Sequence, residues 1–422
     1  MPEKYPVAAL LYVSECVMKS SGFAGQKDMF MSEKIDVTLE EMQADARDYI
    51  LIDVRTEQEF KTESLPNAVN IEWEKFDEHI ADITKDKPVY LLCYTGKRSA
   101  DIAERLRAEG IEAYNIERGW QAVLQKRMEE LLSDDSASEE SAKKAERSII
   151  KTFRRELWTK FVRAIQQYEM IQDGDRIAVC ISGGKDSMLM AKLFQELARH
   201  GKKNFDVVYL VMNPGYNELN YQTILDNAKL LGVPITVFNS EIYDIVAGEG
   251  ESPCYLCARM RRGALYSHAR ELGCNKIALG HHYDDVIETI LMSMLYGGQV
   301  QTMMPKLHSQ NFPGMELIRP LYLIREDDIK RWRDYNNLNF IACACRFTES
   351  CATCGGTGKG SKRADVKELI KMLHEQNQYV EANIFKSVEN VHLDTVIAYK
   401  KDGEKHNFLD TYYEEKETGK NI

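Results

Sequence analysis

Five short stretches of this 422-residue chain carry side chains whose types and spacing could do chemistry. CYTGKRS opens on Cys93 and follows it with Gly96, Lys97 and Arg98. SGGKDS runs from Ser182 to Ser187. CYLC sets Cys254 and Cys257 at the spacing that lets two thiolates meet one metal. GHHYDD, beginning at Gly280, ends on Asp284 and Asp285. CACRFTESCATC packs Cys343, Cys345, Cys351 and Cys354 into one segment.

Each stretch implies a particular chemistry. In SGGKDS, Gly183 and Gly184 allow a turn that aims backbone N–H groups at an anion, and a following helix adds its dipole. It is no Walker A loop, because the position five before Gly184 is Val179 and Asp186 follows Lys185. Two cysteines cannot close a tetrahedral site, so Cys254 and Cys257 need partners from elsewhere. Thiolates suit zinc and iron–sulfur clusters alike, and ligand chemistry leaves that choice open. Asp284 and Asp285 read either as catalytic carboxylates or as the N-terminal pair of a helix. Beside Cys93, a helix N-terminus with Lys97 and Arg98 would favour the thiolate.

These groups must be positioned by strands and helices. YILIDVR and PVYLLCY read as buried strands, and KRSADIAERLRAEG as a helix stopped by glycine. Alternation of the two predicts an N-terminal α/β domain with a parallel sheet. Residues 131–146, LLSDDSASEESAKKAE, are polar, acidic and serine-rich and read as a linker. Beyond it, residues 149–171 predict an amphipathic helix bearing Lys151, Arg154, Arg155, Lys160 and Arg163. RIAVCI, DVVYLVM, PITVFNS and NKIALG then predict strands separated by helices, a doubly wound sheet whose ligands sit at the strands' carboxyl ends.

Composition narrows the setting. No apolar run reaches the roughly 18 residues that span a bilayer, and PVAALLYV lacks the flanks of a signal peptide. A cytoplasmic protein with reduced thiols is expected, with Cys16, Cys180 and Cys274 as core filler. A translation start at Met31 is as compatible with the pattern as one at Met1. Residues 1–145 hold 19 Lys and Arg against 30 Asp and Glu, whereas residues 146–422 hold 36 of each. The acidity belongs to the front, and the back half can still gather basic residues toward a polyanion.

SGGKDS after a strand resembles the PP-loop family of ATP-dependent adenylating enzymes, which release AMP and pyrophosphate. The resemblance implies that Ser182, Gly183, Gly184, Lys185, Asp186 and Ser187 hold ATP, Asp186 helping with Mg2+, and that the adenine side lies near Met212 and Asn213. Longer stretches, GDRIAVCISGGKDS, ESPCYLCARMRRG, KIALGHHYDDVIETILMSMLYGG and LIRPLYLIREDDIKR, are similar to the tRNA 2-thiocytidine synthetases. That likeness covers most of residues 150–400. It implies a [4Fe-4S] cluster on three cysteines with one iron open to sulfide, and the position matching the third ligand is Cys343. It also implies an acidic residue near ATP and the target base, matched by Asp284 and Asp285, with Gly280 on the ATP side. Cys345, Cys351 and Cys354 are not carried over, since Arg346 stands where the family often has cysteine. His281 and His282 are read as shaping the pocket. Arg259, Arg261 and Arg262 would face phosphates, and Lys362 and Arg363 of TGKGSKR, with Lys151, Arg154 and Arg155, the RNA backbone.

LIDVRTEQEF, CYTGKR and ERGW resemble a single-domain rhodanese over residues 35–125, with a loop of the length used for sulfur. Cys93 would then carry a persulfide in the loop with Gly96, Lys97 and Arg98. ESLPNAV departs from the usual rhodanese segment before the second strand, which weakens thiosulfate as donor. Together the resemblances imply an α/β sulfur-relay enzyme. A rhodanese-like domain (35–125) is joined by 131–146 to a doubly wound PP-loop domain (147–400) of the adenine nucleotide alpha hydrolase-like kind, with a tail at 401–422. It would 2-thiolate tRNA, at cytidine 32, with sulfur from a donor such as a cysteine desulfurase. A 2-thiouridine synthetase and a non-catalytic sulfur carrier are the alternatives, and monomer and homodimer are both open.

Overall fold

The computed structural model describes residues 34–80, 83–247, 253–341 and 362–412. The chain divides into two compact units after Ala122. In the first, β1 (Asp36–Val37), β2 (Ile50–Asp53), β3 (Ala68–Asn70), β4 (Val89–Leu92) and β5 (Ala113–Ile116) form a sheet in the order β1-β5-β4-β2-β3. Every pairing is parallel, as expected for short apolar runs buried on both faces. Val89, Leu91, Ile52 and Ala113 meet Ile102 and Leu106 of the Lys97–Ala108 helix in its core.

The second unit carries β6 (Arg176–Ile181), β7 (Asp206–Asn213), β8 (Ile235–Asn239), β9 (Lys276–Ala278), β10 (Lys306–His308) and β11 (Glu316–Ile318). Their order is β10-β11-β9-β6-β7-β8, parallel except for the antiparallel edge strand β10. Strand order reverses between β6 and β9, which opens a crevice at their carboxyl ends. A small hairpin, β12 (Ala398–Lys401) with β13 (Glu404–Asn407), lies outside this sheet. The expected α/β architecture is present in both units. Among the described residues no helix is long and apolar enough to cross a membrane.

Two expectations about the connecting region need correction. The stretch read as a linker is helical, within Trp120–Ser133 and Asp135–Ile150. Its alanines, glutamates and lysines are good helix formers, and Asp134 caps the second helix by accepting from the Ser136 N–H at 2.9 Å. Ala145 and Ile149 are buried, and Glu146 pairs with the buried Lys192 at 2.7 Å and with Arg199 at 2.8 Å. Polar composition concealed this inward stripe. The helix predicted over 149–171 is not continuous either: a π-turn at Arg154–Trp158 precedes a helix at Thr159–Gln167. Lys151, Arg154, Arg155 and Arg163 are exposed along it.

Candidate active site

In the second unit, β6 is apolar and buried up to Ile181, after which the chain turns at Ser182–Gly184 into the helix Lys185–His200. Gly183 has φ +83°, and a Cβ there would lie 2.6 Å from Ile224 Cγ1 and 2.9 Å from Ile341 Cδ1, so glycine is required. Gly184 caps the helix without a side-chain acceptor, which leaves the first N–H groups for an anion. Ser187 Oγ braces the turn: it accepts from the Ser182 N–H at 3.1 Å and donates to the Gly184 carbonyl at 2.9 Å. Gly280, just beyond β9, lets that strand approach the helix start, since a Cβ would lie 3.2 Å from the Ser187 nitrogen.

A cavity of about 420 Å³ opens at this crevice. Ser182, Asp186, Ser187, Met212, Gly280, His281, Asp285, Arg261 and Arg262 are among the residues that line it. The structure thus brings the Ser182–Ser187 loop, Met212, one of the two aspartates and two of the arginines to one place. Asp186 Oδ1 is buried without a hydrogen-bond partner among the described residues, and His282 Nε2 stands 3.9 Å from it. An orphaned carboxylate oxygen beside a phosphate loop fits a hard divalent cation such as Mg2+.

The aspartate pair divides its work. His282 and Asp285 form a reciprocal cap on the helix Tyr283–Gly297, the Asp285 carboxylate accepting from the His282 N–H at 3.0 Å. Asp285 faces the cavity and accepts from Arg363 at 2.6 Å, while Arg363 also donates to Glu288 at 2.7 Å. Asp284 lines a separate charged cavity, where it accepts from Arg325 Nε at 3.1 Å and from the Glu326 N–H at 2.7 Å. Arg363, read from sequence as an RNA contact, is therefore engaged with two carboxylates. Lys362 lies 5.1 Å over the Tyr296 ring.

His281 meets a different fate from His282. Burial pushes its imidazole down to about 4, with the Arg319 and Arg363 guanidiniums adding to the effect. Its Nδ1 has no hydrogen-bond partner among the described residues. Because the folded value lies below the ordinary 6.5, the unfolded chain takes the proton first. The corresponding stability is present above pH 6.5 and is lost as pH falls toward 4. We expect about 2 kcal/mol to be lost between pH 7 and 5 from this group. Melting curves should show that slope, and His281→Gln should flatten it.

Cys254 and Cys257 lie within the first two turns of the helix Pro253–Glu271. Cys257 is buried against Met212, Ile242 and Tyr243, one residue before Ala258 of the cavity wall. Burial pushes its thiol up, with Arg261 opposing. A sulfur donor suits a thiophilic centre, whose binding would displace the thiol proton, although among the described residues no three potential metal ligands come together. Cys343, Cys345, Cys351 and Cys354 lie outside the described residues. Ile341, two residues before Cys343, donates its N–H to the Gly183 carbonyl at 3.3 Å. Cys180 and Cys274 are buried, and burial pushes the Cys180 thiol up to about 12, in keeping with core filler.

The first unit presents a separate site. Cys93 directly follows β4 with 3% of its surface exposed, and its sulfur accepts from the Gly96 N–H at 3.1 Å and the Ser99 hydroxyl at 3.2 Å. Gly96 has φ +87° and begins the Lys97–Ala108 helix, so Lys97 and Arg98 occupy its exposed first turn. Gly119 closes the loop from behind: a Cβ there would lie 2.0 Å from the Cys93 carbonyl oxygen. Arg55, paired with Asp53 at 2.6 Å, lies 3.8 Å over the Trp120 ring. Ser99 escaped sequence reading, although its place in the turn after the loop was a usable signal.

Residues 157–345 match the family model of the PP-loop domain, and residues 37–126 that of the rhodanese-like domain. The tRNA-cytidine(32) 2-sulfurtransferase of Paraburkholderia xenovorans (strain LB400) is 36% identical over 234 residues, covering 54% of this chain and 66% of that protein. The one from Pelobacter propionicus (strain DSM 2379 / NBRC 103807 / OttBd1) is 35% identical over 233 residues, covering 54% of this chain and 83% of its own length. The U34-tRNA thiolase NcsA from Methanococcus maripaludis, solved with its [4Fe-4S] cluster, is 20% identical with a TM-score of 0.44, covering 55% of this chain and 76% of that one.

Proposed function

The chain belongs to the tRNA-cytidine(32) 2-sulfurtransferase family, with a rhodanese-like domain ahead of its PP-loop domain, and from that premise we propose that it replaces the C2 oxygen of a tRNA cytidine with sulfur at the expense of ATP. The observation that carries this reading is the single cavity lined by the phosphate loop, Met212, Asp285 and Arg261–Arg262, with Cys257 beside its wall.

The residues divide the chemistry as follows. The loop N–H groups and Lys185 hold the phosphates of ATP, and Asp186 holds the accompanying Mg2+. The C2 oxygen of the base attacks the α-phosphorus, and the bond to pyrophosphate breaks. A sulfur nucleophile then adds at C2, and AMP leaves with the oxygen. Activation is needed because a bare carbonyl oxygen leaves poorly. Asp285, kept in place by Arg363, orients the base and its developing charge. Cys254, Cys257 and Cys343 would hold a [4Fe-4S] cluster, which would supply a site for binding sulfur. Exposed Lys151, Arg154 and Arg155 would meet the RNA backbone. Cys93 would take up a persulfide from a donor such as a cysteine desulfurase.

Mass spectrometry of tRNA nucleosides from a deletion strain tests the reading. Loss of 2-thiocytidine supports it. Loss of 2-thiouridine in its place would move the target to uridine, and unchanged thionucleosides would leave the chain as a sulfur carrier and sink the proposal.

A further inference from the structure

The geometry points to Glu326 as the positioning residue that aims the Lys185 ammonium at the phosphates of ATP, an inference that rests on the nucleotide reading of the loop. Lys185 Nζ lies 3.1 Å from Glu326 Oε1 and 3.2 Å from Asp186 Oδ2. The other oxygen of Glu326 receives Lys367 at 2.7 Å and Lys330 at 3.2 Å. The Glu326 backbone is fixed as well, because its N–H donates to Asp284 Oδ2 at 2.7 Å. Asp284 in turn pairs with Arg325, which Glu381 holds at 2.7 Å. A chain of contacts thus runs from Asp284 through Glu326 to the loop lysine. It gives Asp284 a purpose away from the reacting atoms.

The side chain of Glu326 is 15% exposed and starts the helix Glu326–Tyr335, where the helix dipole favours an anion. Burial opposes its ionisation, but Lys367, Lys185 and Lys330 outweigh that and hold the carboxyl well below the usual range. Glu326 is therefore a permanent anion at working pH. A lysine on a flexible four-carbon stem loses rotamer freedom when a ligand orders it. Ordering it in advance removes that loss from ATP binding, which is preorganisation. Lys185 is only one of the three ammonium groups that Glu326 receives, so its attraction is shared and Lys185 can still turn to phosphate.

A double-mutant cycle on Mg–ATP binding to the full chain, without tRNA, tests this. Glu326→Gln is expected to weaken binding about tenfold, and to have no further effect when Lys185 is already alanine. Melting temperatures without nucleotide separate this from loss of fold. Should Glu326→Gln not fold, Glu326→Asp, one methylene shorter but still anionic, replaces it in the same cycle with a smaller expected loss. Unchanged or tighter binding by the Glu326 variant overturns the inference, the second because it would mean that Glu326 withholds Lys185. Equal losses in both backgrounds overturn it too, since Glu326 would then act by another route. A wild-type chain that does not bind Mg–ATP overturns the functional reading and this inference with it.

Discussion

Cys257→Ala is expected to abolish the brown iron–sulfur absorbance after anaerobic reconstitution, and with it the formation of thionucleoside in tRNA. A centre held by Cys254, Cys257 and Cys343 loses a third of its protein ligands at once. Thiolation should fall by more than about 100-fold, beyond the 10–100-fold typical of altering a partner of a ligand. Alanine removes only the sulfur from a buried site. The accompanying loss of stability should be about 1 kcal/mol, too little to unfold the domain. Mg–ATP binding should persist, because the phosphate loop and Met212 remain. Cys351→Ala provides the contrast and should keep the colour. Iron content and visible spectra of both variants decide the matter. If Cys257→Ala keeps its iron and absorbance, the ligand assignment is wrong.

The phosphate loop was legible because its determinants are local. Two glycines, a serine and a strand-to-helix switch lie within one turn of chain, and each has the geometric reason the spacing implied. The parallel order of β6, β7 and β9 was legible for the same reason, since buried runs between helices leave few topologies. What escaped reading depends on contacts between distant segments. Glu326 reaches Lys185, and Arg363 reaches Asp285, only after the sheet has brought their helices together. The aspartate pair shows the limit most sharply. Neighbours on a helix point roughly 100° apart, so only one of two adjacent carboxylates can face the cavity. Sequence had no means to choose between them. Asp285 faces the cavity, and Asp284 turns to Arg325 and the Glu326 N–H. The acidic stretch at 131–146 misled for the opposite reason. Its polar face dominates composition, while Ala145 is buried and Glu146 pairs with the buried Lys192.

The rhodanese-like unit carries the remaining large expectation. Cys93→Ser should end uptake of sulfane sulfur, lowering the rate of persulfide loading on the order of 10³-fold or more, as loss of a nucleophile does. Serine is nearly isosteric and can accept from the same Gly96 N–H and Ser99 hydroxyl, so the loop should stand unchanged. Only the chemistry differs. A thiolate attacks the terminal sulfur of the donor's persulfide, the donor's S–S bond breaks, and the donor leaves as a thiolate; a serine hydroxyl has no comparable reactivity. Cyanolysis of the protein after incubation with a cysteine desulfurase and cysteine measures the loaded sulfur directly. The variant should bind Mg–ATP as the parent does, because the phosphate loop and Met212 belong to the second unit. Supplying free sulfide in place of the persulfide donor should then restore thiolation by the variant, since sulfide needs no carrier. Full activity of Cys93→Ser with cysteine and the desulfurase would take Cys93 off the sulfur route. Failure to recover with sulfide would mean that Cys93 does more than deliver sulfur.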